Sequence, residues 1–195
     1  FDLVFAAFIN DENKGCGAKG LDLNSGWNWT PINQGWLLSS IISGSFESGD
    51  KPENIIPFFS NSSLKLIGIP YLWGGTSSNG FDCSGFTKTI YKMNGLIIPR
   101  DASQQIFEGK LVDDNRNWKN LEVGDLMFFG YYRDGKRRID HVAMWIGNNK
   151  FIQASKNVRI SSVDPDSSIY DKYHMDKYFE SRRIIGNQTA GIKLL

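Results

Sequence analysis

The clearest periodic signal follows Cys83, where apolar side chains fall at Phe86, Ile90 and Met93, four and three residues apart, along one helical face. Asp82 ahead of this run is a good N-cap and Gly95 a good stop, so a helix is predicted over 83–94. A second, shorter helix is predicted over 99–109, with Asp101 near its start. Downstream the pattern changes to short apolar runs of strand length at 125–129, 141–146, 150–154, 158–163 and 181–185. Gly147-Asn148-Asn149 reads as the hairpin turn between the second and third runs. Helices followed by strands are the signature of an α+β fold with helices packed on an antiparallel sheet.

The beginning of the chain has no helical period. Trp27, Trp29 and Trp36 stand among Gly, Asn and Ser, which reads as small, turn-rich β structure with the tryptophans as local core. The stretch 47–59, with Gly49, Pro52 and Pro57, reads as a linker whose far end Phe58 and Phe59 anchor. The expected organisation is a β-rich segment at 1–46, this linker, and a main domain at 60–195.

Composition narrows the function classes. Hydrophobic residues at 41% and charged residues at 22% exclude a disordered chain. With 22 Lys plus Arg against 21 Asp plus Glu, the net charge is +1 and no overall field favours nucleic acid. The longest uncharged run, 23–46, carries Pro31 and many Gly, Asn and Ser, so no membrane span is expected. The chain begins at Phe1 with no basic stretch ahead of its first apolar residues. It reads as a processed or truncated product, whose missing targeting signal says nothing of location.

Two cysteines, Cys16 and Cys83, are too few for a disulfide framework or a cysteine-based zinc site. One disulfide is arithmetically possible, but Cys83 has a better use. At the first turn of its helix, unpaired N–H groups and the macrodipole favour an anion, so a thiolate with a lowered pKa is expected there. The alternative is a buried cysteine acting as a small hydrophobe. Only two histidines exist, and neither lies beside an acidic cluster, so no metal site is expected. His141 opens a strong strand after Lys136-Arg137-Arg138 and is the candidate base; His174, between Tyr170 and Tyr178, is taken as structural.

Gln153 is the candidate for orienting the imidazole, and strand parity gives the test. A plain two-residue turn at Asn148-Asn149 would put His141 and Gln153 on opposite faces. A three-residue loop or a bulge near Gly147 would pair Ala143 with Gln153 and bring His141 onto the same face, within diagonal reach.

Taken together, Tyr71-Leu72-Trp73-Gly74-Gly75-Thr76, Phe81-Asp82-Cys83-Ser84-Gly85-Phe86, Pro99-Arg100-Asp101-Ala102-Ser103-Gln104-Gln105, Gly124-Asp125-Leu126-Met127-Phe128-Phe129 and His141-Val142-Ala143 resemble the NlpC-type (p-sixty) cell-wall cysteine peptidases. The resemblance covers about 60–186, and Gln34-Gly35-Trp36-Leu37 is similar to the end of a bacterial Src-homology-3-like module, here partial. It implies a papain-like α+β fold, action on peptidoglycan stem peptides in the cell envelope or outside the cell, and no cofactor. It further implies Cys83 as nucleophile, His141 as general base and acid, Gln153 in the third polar position, and Tyr71 with the Cys83 N–H at the oxyanion. Many members carry His where this chain has Gln153.

Asp82, Ser84 and Asp101 match positions that bind a free substrate amine in some members. Arg100 would pair with a substrate carboxylate or with Asp101, and Trp73 would wall the cleft. The expected activity is hydrolysis of γ-D-glutamyl–diamino-acid bonds. An amidase or acyltransferase on the same fold, or a catalytically weak wall-binding protein, is the alternative.

Overall fold

The computed structural model describes residues 62–187 and 189–194, and the backbone of two short strands, β1 (Trp29–Ile32) and β2 (Gly35–Leu38). These two strands pair antiparallel, Thr30 opposite Leu37. The linker, Cys16 and most of the module-like segment lie outside the described residues.

Six antiparallel strands carry the domain: β6 (Lys110–Asp113), β7 (Leu126–Arg133), β8 (Lys136–Gly147), β9 (Lys150–Ser155), β10 (Asn157–Ser162) and β11 (Tyr178–Arg183), in the spatial order β10-β9-β8-β7-β11-β6. Two-stranded pieces flank the sheet: β3 (Thr76–Ser77) with β4 (Gly80–Phe81), and β5 (Leu96–Ile97) with β12 (Lys193–Leu194). Helix α1 (Cys83–Met93) packs on the sheet, and α2 (Ala102–Gln105) and α3 (Lys172–Asp176) are single turns.

Strand alternation gives the sheet two buried faces. Leu126, Phe128, Val142, Met144, Ile152 and Ala154 face α1, where they meet Phe86, Ile90 and Met93. Met127, Phe129, Ala143, Trp145 and Phe151 point the other way, onto Tyr178, Met175 and Val163. Both helical and strand patterns were visible in the sequence, and α1 ends one residue short of the expected span. The predicted second helix shrinks to α2, which Gln105 ties to its surroundings. Gln105 Nε2 donates to the Pro99 and Ser84 carbonyls at 2.9 and 3.2 Å, and its Oε1 accepts from Thr87 at 2.9 Å.

β7 and β8 run well beyond the apolar runs that announced them, meeting at Asp134-Gly135, where both residues have positive φ. This extension is exposed on both sides, with Tyr131 and Tyr132 open to solvent, so it carries no alternation. β6 was not expected at all; its burial is slight until Asp113.

Candidate active site

Asp82 is the cap of α1: its Oδ1 accepts from the Gly85 N–H at 2.7 Å. That bond satisfies one of the open donors of the first turn and places Cys83 as its first residue. The loop from Tyr71 to Gly75 closes over the same end. Gly74 N donates to Asp82 Oδ2 at 2.9 Å, and a Cβ on Gly85 would stand 2.1 Å from the Gly75 carbonyl oxygen. Gly85 is required by that approach, because no side chain fits between loop and helix.

The β8–β9 hairpin supplies the other half. Its turn is two residues, Asn148 and Asn149, both with positive φ, which is type I′ geometry. A register shift between Trp145 and Gly147 adds the odd residue as a bulge, leaving Met144 opposite Ile152. Continued one step, that register sets Ala143 opposite Gln153 and His141 diagonal to it. The two side chains share a face: His141 Nε2 lies 2.7 Å from Gln153 Oε1.

The registered pairing of β8 with β9 runs from Met144 toward the turn. Beyond it the Val142 backbone N–H lies near enough to the Cys83 sulfur to favour its thiolate form. The thiol therefore meets β8 one residue from His141, at the place where the two strands part. Gln153 Nε2 donates to Ser161 Oγ at 2.9 Å and to Asp171 Oδ2 at 2.7 Å, so Oε1 is the atom left to face the imidazole. His141 must then carry its proton on Nε2, which leaves Nδ1 as the proton acceptor.

Charge is scarce at the thiol. Burial pushes the Cys83 pKa up, and Asp82 adds to this, against the Val142 N–H that lowers it. The lowered thiol pKa expected from the helix terminus is thus corrected. With Cys83 only 8% exposed, loss of water outweighs the dipole. Burial, and then the neighbouring His174, push His141 down to about 3, against the raising influence of Gln153 and Asp171. The resting pair is a thiol and a neutral imidazole.

Tyr71 stands close enough for Cys83 to raise its pKa, after burial, and its N–H donates to the Lys156 carbonyl at 2.8 Å. Asp82, Ser84 and Arg100 come together, but with each other. Arg100 grips both carboxylate oxygens of Asp82 at 3.0 and 2.5 Å and reaches Ser84 Oγ at 3.0 Å. Burial works against the Asp82 charge, but Arg100 and the Gly85 and Gly74 N–H groups hold its carboxyl below the usual value. Asp82 thus uses its oxygens on Arg100, Ser84 and the Gly74 and Gly85 N–H groups within the protein. The partner of Arg100 is Asp82, not Asp101. Asp101 is exposed, as N-cap of α2, and its N–H donates to Gln104 Oε1 at 3.3 Å. Trp73 projects from the loop, 87% exposed.

Two residues missed by sequence reasoning back the imidazole. His174, assigned a structural role, has its ring centroid 4.3 Å from that of His141. Its Nδ1 lies 2.8 Å from Asp171 Oδ2. On the side of His141 a cleft of about 280 Å³ opens, bordered by Tyr71, Ser155, Lys156, Tyr173 and Lys177. Among the described residues no group of three His, Cys, Asp or Glu side chains could hold a metal ion, and no helix is long and apolar enough to cross a membrane.

A cysteine at the start of a helix that packs on an antiparallel sheet, together with a hydrogen-bonded histidine and amide on adjacent strands, is the arrangement of a papain-like α+β domain. Residues 68–183 match the NlpC/P60 family, and the chain belongs to that family. It is 39% identical over 125 residues to a γ-D-glutamyl-L-lysine dipeptidyl-peptidase of Bacillus cereus, covering 64% of this chain and 35% of that protein. It is 34% identical over 134 residues to the murein DD-endopeptidase MepH of Escherichia coli, covering 66% and 46%. Among solved structures, an NlpC/P60 family protein from Bacillus cereus superposes with a TM-score of 0.56 at 38% identity, over 66% of this chain and 40% of that one. The chain thus spans less than half the length of each of these relatives.

Proposed function

We propose that the chain is a cysteine endopeptidase that hydrolyses the γ-D-glutamyl–diamino-acid bond of peptidoglycan stem peptides, acting in the cell envelope. The observation that carries the reading is the His141 Nε2–Gln153 Oε1 pair at 2.7 Å, on the strand that also brings Val142 near the Cys83 sulfur at the start of α1. The Bacillus and Escherichia relatives, named for γ-D-glutamyl-L-lysine and murein, support the substrate class.

The neutral resting pair sets the order of events. As Cys83 Sγ attacks the γ-carbonyl carbon, its proton passes to His141 Nδ1. The Cys83 N–H at the first turn and the Tyr71 hydroxyl are the groups that would stabilise the developing oxyanion. Collapse breaks the C–N bond, His141 gives the proton to the leaving amine, and a thioester remains. His141 then takes a proton from water, whose oxygen attacks the thioester; the C–S bond breaks and His141 returns that proton to the departing Cys83 sulfur, restoring the resting pair.

The leaving amine must lie within reach of His141, so the cleft beside it is the place for the diamino acid, with exposed Lys156 toward its carboxylate. Asp82, Ser84 and Arg100 sit by the start of α1 and shape the acyl side. Mass spectrometry of digests of L-Ala-γ-D-Glu-diamino acid tests the reading: release of the diamino acid supports it. Cys83→Ala should leave less than about a thousandth of that turnover in a folded protein. Intact peptide with the wild-type chain would defeat it.

A further inference from the structure

The third polar position holds an amide, which cannot by itself decide which way round it faces. Gln153 presents Oε1 to His141 because groups on its other side accept its N–H groups. Ser161 Oγ does so at 2.9 Å, but a hydroxyl could equally donate; the acceptor that cannot is Asp171, at 2.7 Å, which precedes α3 and lies 18 residues along the chain from Gln153. Asp171 Oδ2 takes Gln153 Nε2 at 2.7 Å and His174 Nδ1 at 2.8 Å; Ser161 Oγ and Arg159 stand farther off, both at 3.4 Å. Its Oδ1 takes the His174 N–H at 3.2 Å.

An ionised carboxylate accepts and never donates. Every neighbour of Asp171 is therefore a donor, and the amide cannot rotate without turning its own oxygen onto a carboxylate. We infer that Asp171 is a positioning residue for the peptidase reaction, acting through Gln153 to hold the proton of His141 on Nε2 and keep Nδ1 open to Cys83. His174 completes the arrangement: it fills the second site on Oδ2 and packs its ring over His141. A carboxylate thus acts on the base without touching it, relayed by a neutral amide.

The chemistry of a substitution follows. Asparagine has one acceptor where Asp171 has two. If its oxygen keeps the α3 cap, its NH2 faces Gln153 and the amide flips, presenting Nε2 to His141. The imidazole must then carry its proton on Nδ1, the wrong tautomer for taking one from Cys83. Serine keeps a good cap but offers Gln153 nothing.

This inference rests on the peptidase reading above, so its test has a readout independent of turnover. In Asp171→Asn and Asp171→Ser, kcat should fall about 100-fold with KM within about twofold, less than for a carboxylate that contacts the base directly. Nitrogen NMR of the imidazole rings should show His141 as the Nε2–H tautomer in the wild type and a mixture or the reverse in both variants. Ser161→Ala, which leaves Asp171 in place, should keep the wild-type tautomer and lose only a few-fold in kcat. A folded Asp171 variant with near wild-type kcat overturns the proposal, as does one that loses kcat with His141 still Nε2–H. Should neither variant fold, the wild-type spectrum decides: Nδ1–H at His141 overturns it, and Nε2–H sustains it. Absence of turnover by the wild type would defeat the peptidase reading alone.

Discussion

Acid should unfold this domain earlier than its carboxylates require, and His141 is the reason. Its imidazole takes a proton at about 3 in the folded chain, against 6.5 for the unperturbed group. Between those values the unfolded state binds more protons than the folded one, so stability rises with pH. The contribution is fully present above about pH 6.5 and is lost progressively as pH falls toward about 3. Each pH unit inside the window costs about 1.4 kcal/mol, so going from about pH 6.5 to 4.5 costs about 3 kcal/mol, a large fraction of an ordinary domain's stability.

The depressed carboxyl of Asp171 acts in the same direction but lower, mostly below the usual carboxylate value of 3.8. It enters only at the acid end of the range, so the His141 slope is read above about pH 5. His174 and Lys177 disfavour the His141 charge while Asp171 and Gln153 favour it, so no single neighbour sets the shift; burial does. Urea unfolding followed by tryptophan fluorescence, at half-unit steps across this range, should give the expected slope for the wild type. His141→Gln, which keeps a donor toward Gln153 and has no titrating ring, should give a shallower slope by about 1 kcal/mol per unit. Equal slopes in the two proteins would refute the reasoning and place an ordinary imidazole at this site.

The remaining expectations are briefer. Asp82→Asn should lower stability by about 1–3 kcal/mol in urea titrations, because it breaks the two-point grip on Arg100. It should also reduce kcat/KM equally for stem peptides with a free and an acylated amine; a selective loss on the free amine would restore a direct role in amine recognition. Gln153→Ala should cut kcat substantially, though less than loss of Cys83, with KM little changed in steady-state assays, and Gln153→His should be tolerated. Gly85→Ala should destabilise by about 1–3 kcal/mol or more by thermal melting, since its Cβ would meet the Gly75 carbonyl oxygen.

What could be read from the sequence was what lies close along it. The α1 face, its Asp82 cap and the strand cores were all visible because periodicity and capping are local. The parity of the β8–β9 hairpin was also a local question, and the bulge near Gly147 answers it. What was hidden is what the fold brings together from afar. Asp171 reaches Gln153 across the sheet, and Arg100 reaches Asp82 from 18 residues away, so neither pairing leaves a mark in local pattern. Strand β6 was missed because it lies at the sheet edge with little burial to advertise it. The thiol pKa was misjudged for a related reason. A helix N-terminus is read from sequence, but the covering of Cys83 by the Tyr71–Gly75 loop and β8 is a property of the packed chain.

That covering bears on how long the thiol survives. Peroxides and disulfides react with thiolate, and a protonated, 8%-exposed sulfur offers them very little. Among the described residues Cys83 is a free cysteine. A sulfur that is covered and favours its proton should therefore react slowly with peroxide and with thiol reagents at neutral pH.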